Sequence, residues 1–206
     1  LKEETVSLPQ RATIAEPDKL RQLVQLARLG DHAAFEQLYV WRYRDICAFL
    51  IHLVGDQDIG EELTHDTFLK AWQELSHLRD AARFDSWLYR IARNLAWNWL
   101  QRQRIVQWLP LSEQAESSHL SSLTVASFEH IVEERVLLRE ALARLAPQYR
   151  ECVILQVVLG MPQAHIAALL GLSRESVSKY VSRGLEQLRQ TYARFAEQNA
   201  PPRPKE

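Results

Sequence analysis

Two groups of side chains in this sequence have types and spacing suited to holding nucleic acid. In the first, Arg174, Glu175, Ser178, Lys179, Ser182 and Arg183 recur at helical spacing just after "GLS". Guanidinium, ammonium, hydroxyl and carboxylate groups on one helix face match the base edges and phosphates of a major groove. The second lies in "RFDSWLYRIARNLAWNWLQRQR", where Arg90, Arg93, Asn94, Trp97, Asn98, Gln101 and Arg104 share a face. An indole among cations and amides suits unpaired bases, because arginine meets phosphate while a base stacks on the ring. Such stacking is worth about 1–3 kcal/mol per base. The bland alternative has Trp97 and Trp99 covering core edges while the arginines are solvated. The residues alone leave both readings open.

Other chemistries find less support. Glu62 and His65 form Glu-x-x-His, the spacing of di-iron helical bundles, and Glu116 with His119 repeats it. The second copy sits in a serine-rich stretch without a helical stripe, and no further glutamates take matching core positions. No metal site and no cofactor are therefore expected. A glycine-rich phosphate loop and a nucleophile beside a base are both missing, so the sequence does not read as an enzyme. Cys47 and Cys152 lie on apolar stretches and are expected in the core.

The elements that must position these groups read as helices. Leu20, Leu23, Val24 and Ala27 form an apolar stripe that ends at Gly30, and Asp31 is placed to cap a second helix running to Leu53. "GDQD" precedes a third helix, near Ile59 to Leu75, and a fourth spans about Phe84 to Gln107. On that fourth helix Leu88, Ile91, Ala92, Leu95, Trp99 and Leu100 make the expected buried stripe. Together the four helices can bury one another as a bundle. After Pro110, "LSEQAESSHLSSLTVAS" reads as a linker, and helical patterning returns near Ile131.

Near the C-terminal end, "MPQAHIAALLGLSRESVSKYVSRGLEQLRQ" carries Ala167, then Gly171 four residues on and Val177 ten residues on. That is helix-turn-helix spacing. The small side chain lets the helices approach, glycine takes the positive φ of the turn, and valine fills the angle between them. Ser173 is placed to cap the second helix. Ile166, Leu169 and Leu170 are the expected core face of the first, and Val177, Val181, Leu185 and Leu188 that of the second. An ordinary helical hairpin with a solvated polar face is the alternative.

The sequence of 206 residues is 47% hydrophobic and 25% charged, an ordinary globular balance. Its formal net charge of −1 hides segregation. Asp56, Asp58, Glu61, Glu62 and Asp66 crowd one segment, while basic residues dominate 79–104 and 174–194. Separate segments are expected to meet separate partners. Two cysteines, a polar start and the lack of an apolar run of about 18 residues point to a soluble, cytoplasmic protein.

Four stretches in order, "GDHAAFEQLYVWRYRDICAFL", "GEELTHDTFLKAWQEL", "FDSWLYRIARNLAWNWLQRQR" and "LAPQYRECVILQVVLGMPQAHIAALLGLSRESVSKYVSRGLEQLR", resemble bacterial sigma-70-family factors. The match is to the extracytoplasmic-function (ECF) group, which keeps only domains two and four, and it covers nearly all of residues 17–195. The resemblance implies an all-α fold of two helical domains, 17–108 and 130–195. A linker over 109–129 joins them, and flexible segments cover 1–16 and 196–206. It implies that Glu62, His65, Asp66 and Phe68 dock on the coiled coil of the largest subunit of core RNA polymerase, with the polymerase flap region as a further contact. Trp87, Arg90, Asn94, Trp97 and Asn98 then open the minus-10 element and capture the non-template single strand, with "HLRDAARF" as the base-holding loop. The helix-turn-helix reads the minus-35 element as duplex, through Arg174, Glu175, Ser178, Lys179, Ser182 and Arg183. An anti-sigma partner is also implied, which would place the inactive protein at the membrane and the active one at the nucleoid.

This sequence departs from the family pattern at His65, where glutamine is common, and at Ser173 and Glu175, which replace proline and glycine. "SVSKYV" is similar to the iron-uptake regulators of the group. The competing function is a two-domain helix-turn-helix activator or repressor that binds duplex DNA without joining polymerase.

Overall fold

The structure, a computed structural model, describes residues 17–108 and 137–198. The expected linker over 109–129, the Glu116–His119 pair and the N-terminal segment lie outside the described residues, as does most of the expected tail. The described residues are helical without a strand: α1 Pro17–Arg28, α2 His32–Val54, α3 Gln57–Glu74 and α4 Phe84–Trp108. They continue with α5 over 137–144, α6 Pro147–Val153, α7 Gln163–Leu170 and α8 Arg174–Gln198.

Local chemistry sets the boundaries of the first half. Asp31 accepts a hydrogen bond from the Ala34 amide at 3.1 Å and starts α2, and Asp56 accepts from Ile59 at 3.0 Å and starts α3. Between them Gly55, at φ +80°, turns its amide back to the Ile51 carbonyl and stops α2. α2 and α3 then cross at a point where a side chain would not fit: a Cβ on Gly60 would lie 2.5 Å from Ile51 Cγ1 and 2.7 Å from Ile51 Cα. Thr64 and Thr67 are buried beside this crossing. Their hydroxyls donate to the Gly60 and Leu63 carbonyls at 2.7 and 2.6 Å, so neither polar group is left unpaired. Arg42 on α2 grips Asp85 in the first turn of α4 with two hydrogen bonds of 2.7 and 2.9 Å, fixing where α4 begins.

In the second half α6 runs on as a wide π turn, Ile154–Val158, before α7. Cys152, Ile154, Leu155, Ile166, Ala167, Leu169, Val177 and Val181 join one continuous buried cluster with Leu38, Phe49, Leu53, Phe84 and Leu88 of the first half. A smaller cluster of Leu142, Leu145 and Val153 belongs to the second half alone. Both cysteines are buried and free, as expected. The two helical halves thus lie against each other and share a core.

That packing alters α4 relative to its sequence pattern. Leu88, Ile91, Ala92 and Ala96 are buried, while Leu95, Trp99 and Leu100 are only half-buried. Trp87 and Tyr89 are buried as well, because α4 is covered on one side by the bundle and on another by the second half.

Candidate nucleic-acid interface

The helix-turn-helix is built as its spacing predicts. Ile166, Ala167 and Leu169 are buried on α7, with Leu170 at the margin. Gly171 takes φ +68° and sends its amide to the Ala167 carbonyl. Val177 is fully buried between the two helices. Ser173 caps α8 by accepting from the Ser176 amide at 3.1 Å and also donates to Ser176 Oγ at 2.9 Å. On α8, Arg174, Glu175, Lys179, Ser182 and Arg183 are exposed on one side and Ser178 is half-buried, while Val181 is buried behind them. A duplex can reach this face.

The turn yields a prediction. A Cβ at Gly171 would meet nothing within 4 Å, so Gly171→Ala carries only the penalty of a left-handed backbone. We expect a loss of about 1–2 kcal/mol, read by thermal unfolding, and Gly171→Asn is expected to recover part of it. An unaltered melting curve for Gly171→Ala would contradict the positive-φ turn.

The strand-capture candidates divide. Arg90, Asn94 and Asn98 are exposed along α4. Trp87 is 9% exposed with its ring beside Phe84, at 6.0 Å between centroids, so it supports the core. Trp97 is half-buried and has a partner. Its indole Nε1 donates to Glu151 Oε1 at 2.7 Å, and Arg93 approaches Glu151 Oε2 at 3.7 Å. The Arg150 guanidinium lies 5.9 Å from the Trp97 ring centre. The face read as open is therefore met by α6. "HLRDAARF" starts on the last residue of one tight turn, Leu75–His77, and contains a second, Ala81–Arg83, with Leu78, Ala81 and Phe84 buried and Arg79, Asp80 and Arg83 exposed. Between α4 and α7 lies a cleft of about 650 Å³ whose walls include Arg83, Trp87, Arg90 and Arg93.

Arg150 and Glu151 are the residues that sequence reasoning missed. Each is 6% exposed. A signal was available: "QYRECVIL" sets adjacent opposite charges inside an apolar run, and buried charges need partners. Burial pushes the Glu151 carboxyl above its ordinary range, opposed by the Trp97 hydrogen bond and by Arg93. A raised carboxyl contributes stability below the ordinary carboxylate range and loses it as pH rises through the raised value.

The docking candidates lie on α3. Glu62, His65 and Asp66 are exposed along one side. Phe68 is the exception, only 3% exposed and packed on Tyr39 at 4.7 Å between ring centres. It falls on the same buried stripe as Thr64, Thr67 and Ala71, beneath the exposed side that carries Glu62, His65 and Asp66. Leu69, on the same helix, is 58% exposed, and Val40 on α2 is 66% exposed. Nothing in the helical periodicity distinguished them. Among the described residues no group of three or more His, Cys, Asp or Glu side chains could hold a metal ion. Among the same residues no helix is long and apolar enough to cross a membrane.

The architecture matches known proteins. Residues 38–105 match the family description "Sigma-70 region 2", and residues 135–188 match "Sigma-70, region 4". The RNA polymerase sigma factor CnrH of Cupriavidus metallidurans is 31% identical over 180 residues, spanning 83% of this chain and 93% of CnrH. CnrH solved with the cytosolic domain of CnrY superposes with a TM-score of 0.61, at 24% identity, over 89% of this chain and all of that one. The sigma factor RpoE, solved with the anti-sigma factor NepR from Bartonella quintana, gives 0.54 at 25% identity, over 77% of this chain and 96% of RpoE. The probable RNA polymerase sigma factor RfaY of Xanthomonas campestris is 30% identical over 184 residues, which are 85% of this chain and 45% of RfaY. This chain therefore spans about half the length of that relative and nearly the whole of CnrH. With regions 2 and 4 in order and a helix-turn-helix closing the second, the chain belongs to the sigma-70 family of RNA polymerase sigma factors, in its ECF group.

Proposed function

We propose that this chain is an alternative sigma factor that joins core RNA polymerase and directs it to a specific set of promoters. The observation that carries the reading is the finished helix-turn-helix with a free cationic face, held on one chain with the exposed Arg90–Asn94–Asn98 edge of α4. The first suits duplex DNA at a minus-35 element and the second suits a melted minus-10 strand. Glu62, His65 and Asp66 on α3 give an acidic surface for a basic partner, the largest-subunit coiled coil. Exposed Leu69, one turn along α3, adds apolar contact area. In this reading the chain is a DNA-binding regulator and polymerase supplies the catalysis. RpoE was solved with an anti-sigma factor, which supports control of this chain by a partner of that kind.

The test is transcription reconstituted from purified core polymerase and this chain, with the transcript starts sequenced. Specific starts that vanish when the chain is omitted are expected. A protein that binds a duplex site equally well without polymerase, and leaves start sites unchanged, would overturn the reading.

Asp66 gives a sharper prediction. Its side chain is exposed, so Asp66→Ala should leave the melting temperature unchanged. Loss of one exposed interfacial charge should weaken assembly with core polymerase by up to about fivefold, with a larger deficit at low salt. Wild-type affinity at every ionic strength would remove Asp66 from the docking surface.

A further inference from the structure

The cleft between α4 and α7 has the size of a small-molecule site, about 650 Å³ where ligand pockets span about 300–1,000 Å³. Its floor is apolar and largely aromatic. Phe49 of α2 and Tyr89 of α4 meet edge to face at 5.3 Å between ring centres, and Leu78 and Trp87 extend that surface. The facing wall is the last turn of α7 with its cap, Ala168 to Gly171. Ser86 Oγ of α4 donates to the Ala168 carbonyl at 3.4 Å and ties the two walls together.

Three arginines, Arg83, Arg90 and Arg93, edge this cleft, and among the described residues no carboxylate lines it. Their charges are unequally committed. Arg93 lies 3.7 Å from the buried Glu151 carboxylate. Arg83 lies 3.5 Å from Asp80, with both side chains exposed, so water screens that pair. Arg90 is exposed, and among the described residues it pairs with no carboxylate. With one whole charge on offer and a second in part, the rim suits a single compact anionic group and not a polyanion. A guanidinium is weakly hydrated and holds carboxylate, sulfonate or phosphate oxygens through paired N–H donors, which lets it work beside apolar surface. The floor calls for a body that sheds water, and rings set edge to face or offset favour a flat aromatic one.

We propose that this cleft is an effector site for an aromatic acid, whose ring covers the Phe49–Tyr89–Trp87 floor and whose anionic group meets Arg90, with Arg83 beside it. A ligand seated there touches α4 and α7 at once and occupies Arg90, a residue proposed for strand capture. That occupancy lowers promoter opening rests on the proposed sigma-factor role; the binding itself does not.

The test uses the full chain and a fluorescent aryl anion, anilinonaphthalene sulfonate. About one bound probe per chain is expected. Arg90→Gln should weaken binding about tenfold through loss of one charge-assisted contact. Arg83→Ala should weaken it about twofold, since that charge is already screened. Ala168→Trp, at an exposed position in the α7 wall, should fill the cleft and abolish binding while melting with the parent. Parent-strength binding in Arg90→Gln and Ala168→Trp would overturn the site. Naphthoate should displace the probe at concentrations where decanoate and inorganic phosphate do not; equal displacement by either of those would overturn the aromatic class. Run-off transcription with core polymerase is then measured after each protein is preincubated with the probe. Specific starts should fall severalfold with the parent and hold steady with Ala168→Trp. Probe binding that leaves the parent's starts untouched would overturn the effector role. A chain that binds the probe as described yet gives no specific starts even without it would sink the sigma-factor reading and keep the site.

Discussion

Gly60→Val should unfold the first half at temperatures where the unaltered chain is intact, with a loss of about 3 kcal/mol or more and a fall in melting midpoint of about 10 °C. The reason lies in which atoms would be struck. A Cβ at position 60 would come within 2.7 Å of Ile51 Cα and 2.8 Å of Ile51 N, and backbone cannot rotate away as a side chain can. α2 and α3 would have to separate, opening gaps around Leu50, Leu53 and Leu63, all buried at this crossing. Gly184 is a useful contrast. A Cβ there would meet Val153 Cγ2 at 2.6 Å, and the Tyr149 carbonyl only at 3.5 Å, so the clash is mainly with a methyl group. Gly184→Ala should therefore cost about 1 kcal/mol, near the low end of overpacking penalties. Thermal unfolding followed by circular dichroism checks both. A Gly60→Val protein melting with the parent would mean that the helices do not cross this closely. A displaced α3 would also lose its register with α2 and move Glu62, His65 and Asp66, the proposed docking residues.

Gly60 shows where the sequence was mute. A glycine inside an apolar-periodic helix marks close approach only when its partner is known, and Ile51 lies across a turn that the pattern alone does not fold. The caps at Asp31 and Ser173 were far more legible, because they are local: each accepts from an amide three residues ahead, so neighbouring residues suffice to identify them. The helix-turn-helix was legible for the same reason. Ala167, Gly171 and Val177 solve a packing problem confined to about ten residues.

Trp97 could not be placed by such reasoning. Its position on the helical wheel among Arg90, Asn94 and Asn98 is compatible with solvent, and only the arrival of α6 from more than fifty residues away covers it. The burial of Phe68 was missed for a different reason. The residue was assigned through family resemblance, which transfers position along a chain and says nothing of side-chain direction. The helical period itself, with Leu63, Thr64, Thr67 and Ala71 buried, puts position 68 inside. Where resemblance and periodicity disagree about a side chain, periodicity is the physical argument, since burial follows from geometry in this chain.

Replacing Arg174 and Lys179 together with alanine should produce the largest functional loss with the smallest structural one. Both side chains are exposed at the start of α8, and among the described residues neither pairs with a carboxylate. Their removal should leave the melting temperature within the range of ordinary surface changes, about ±0.5 kcal/mol. Loss of two contacts to an upstream element, at about 1–3 kcal/mol for each good base contact, predicts a fall on the order of 100-fold in transcription from promoters that depend on it. The single changes separate the two roles. If Arg174 reads a base edge, its loss relaxes preference at one position of the element. If Lys179 holds a phosphate, its loss weakens binding to all sequences alike and reduces the slope of log affinity against log salt by about one. Run-off transcription from promoter variants at several salt concentrations reads both effects on one set of samples. Unchanged preference and an unchanged salt slope in the double variant would mean that Arg174 and Lys179 do not meet DNA, with Glu175, Ser182 and Arg183 on the same side then the residues to vary.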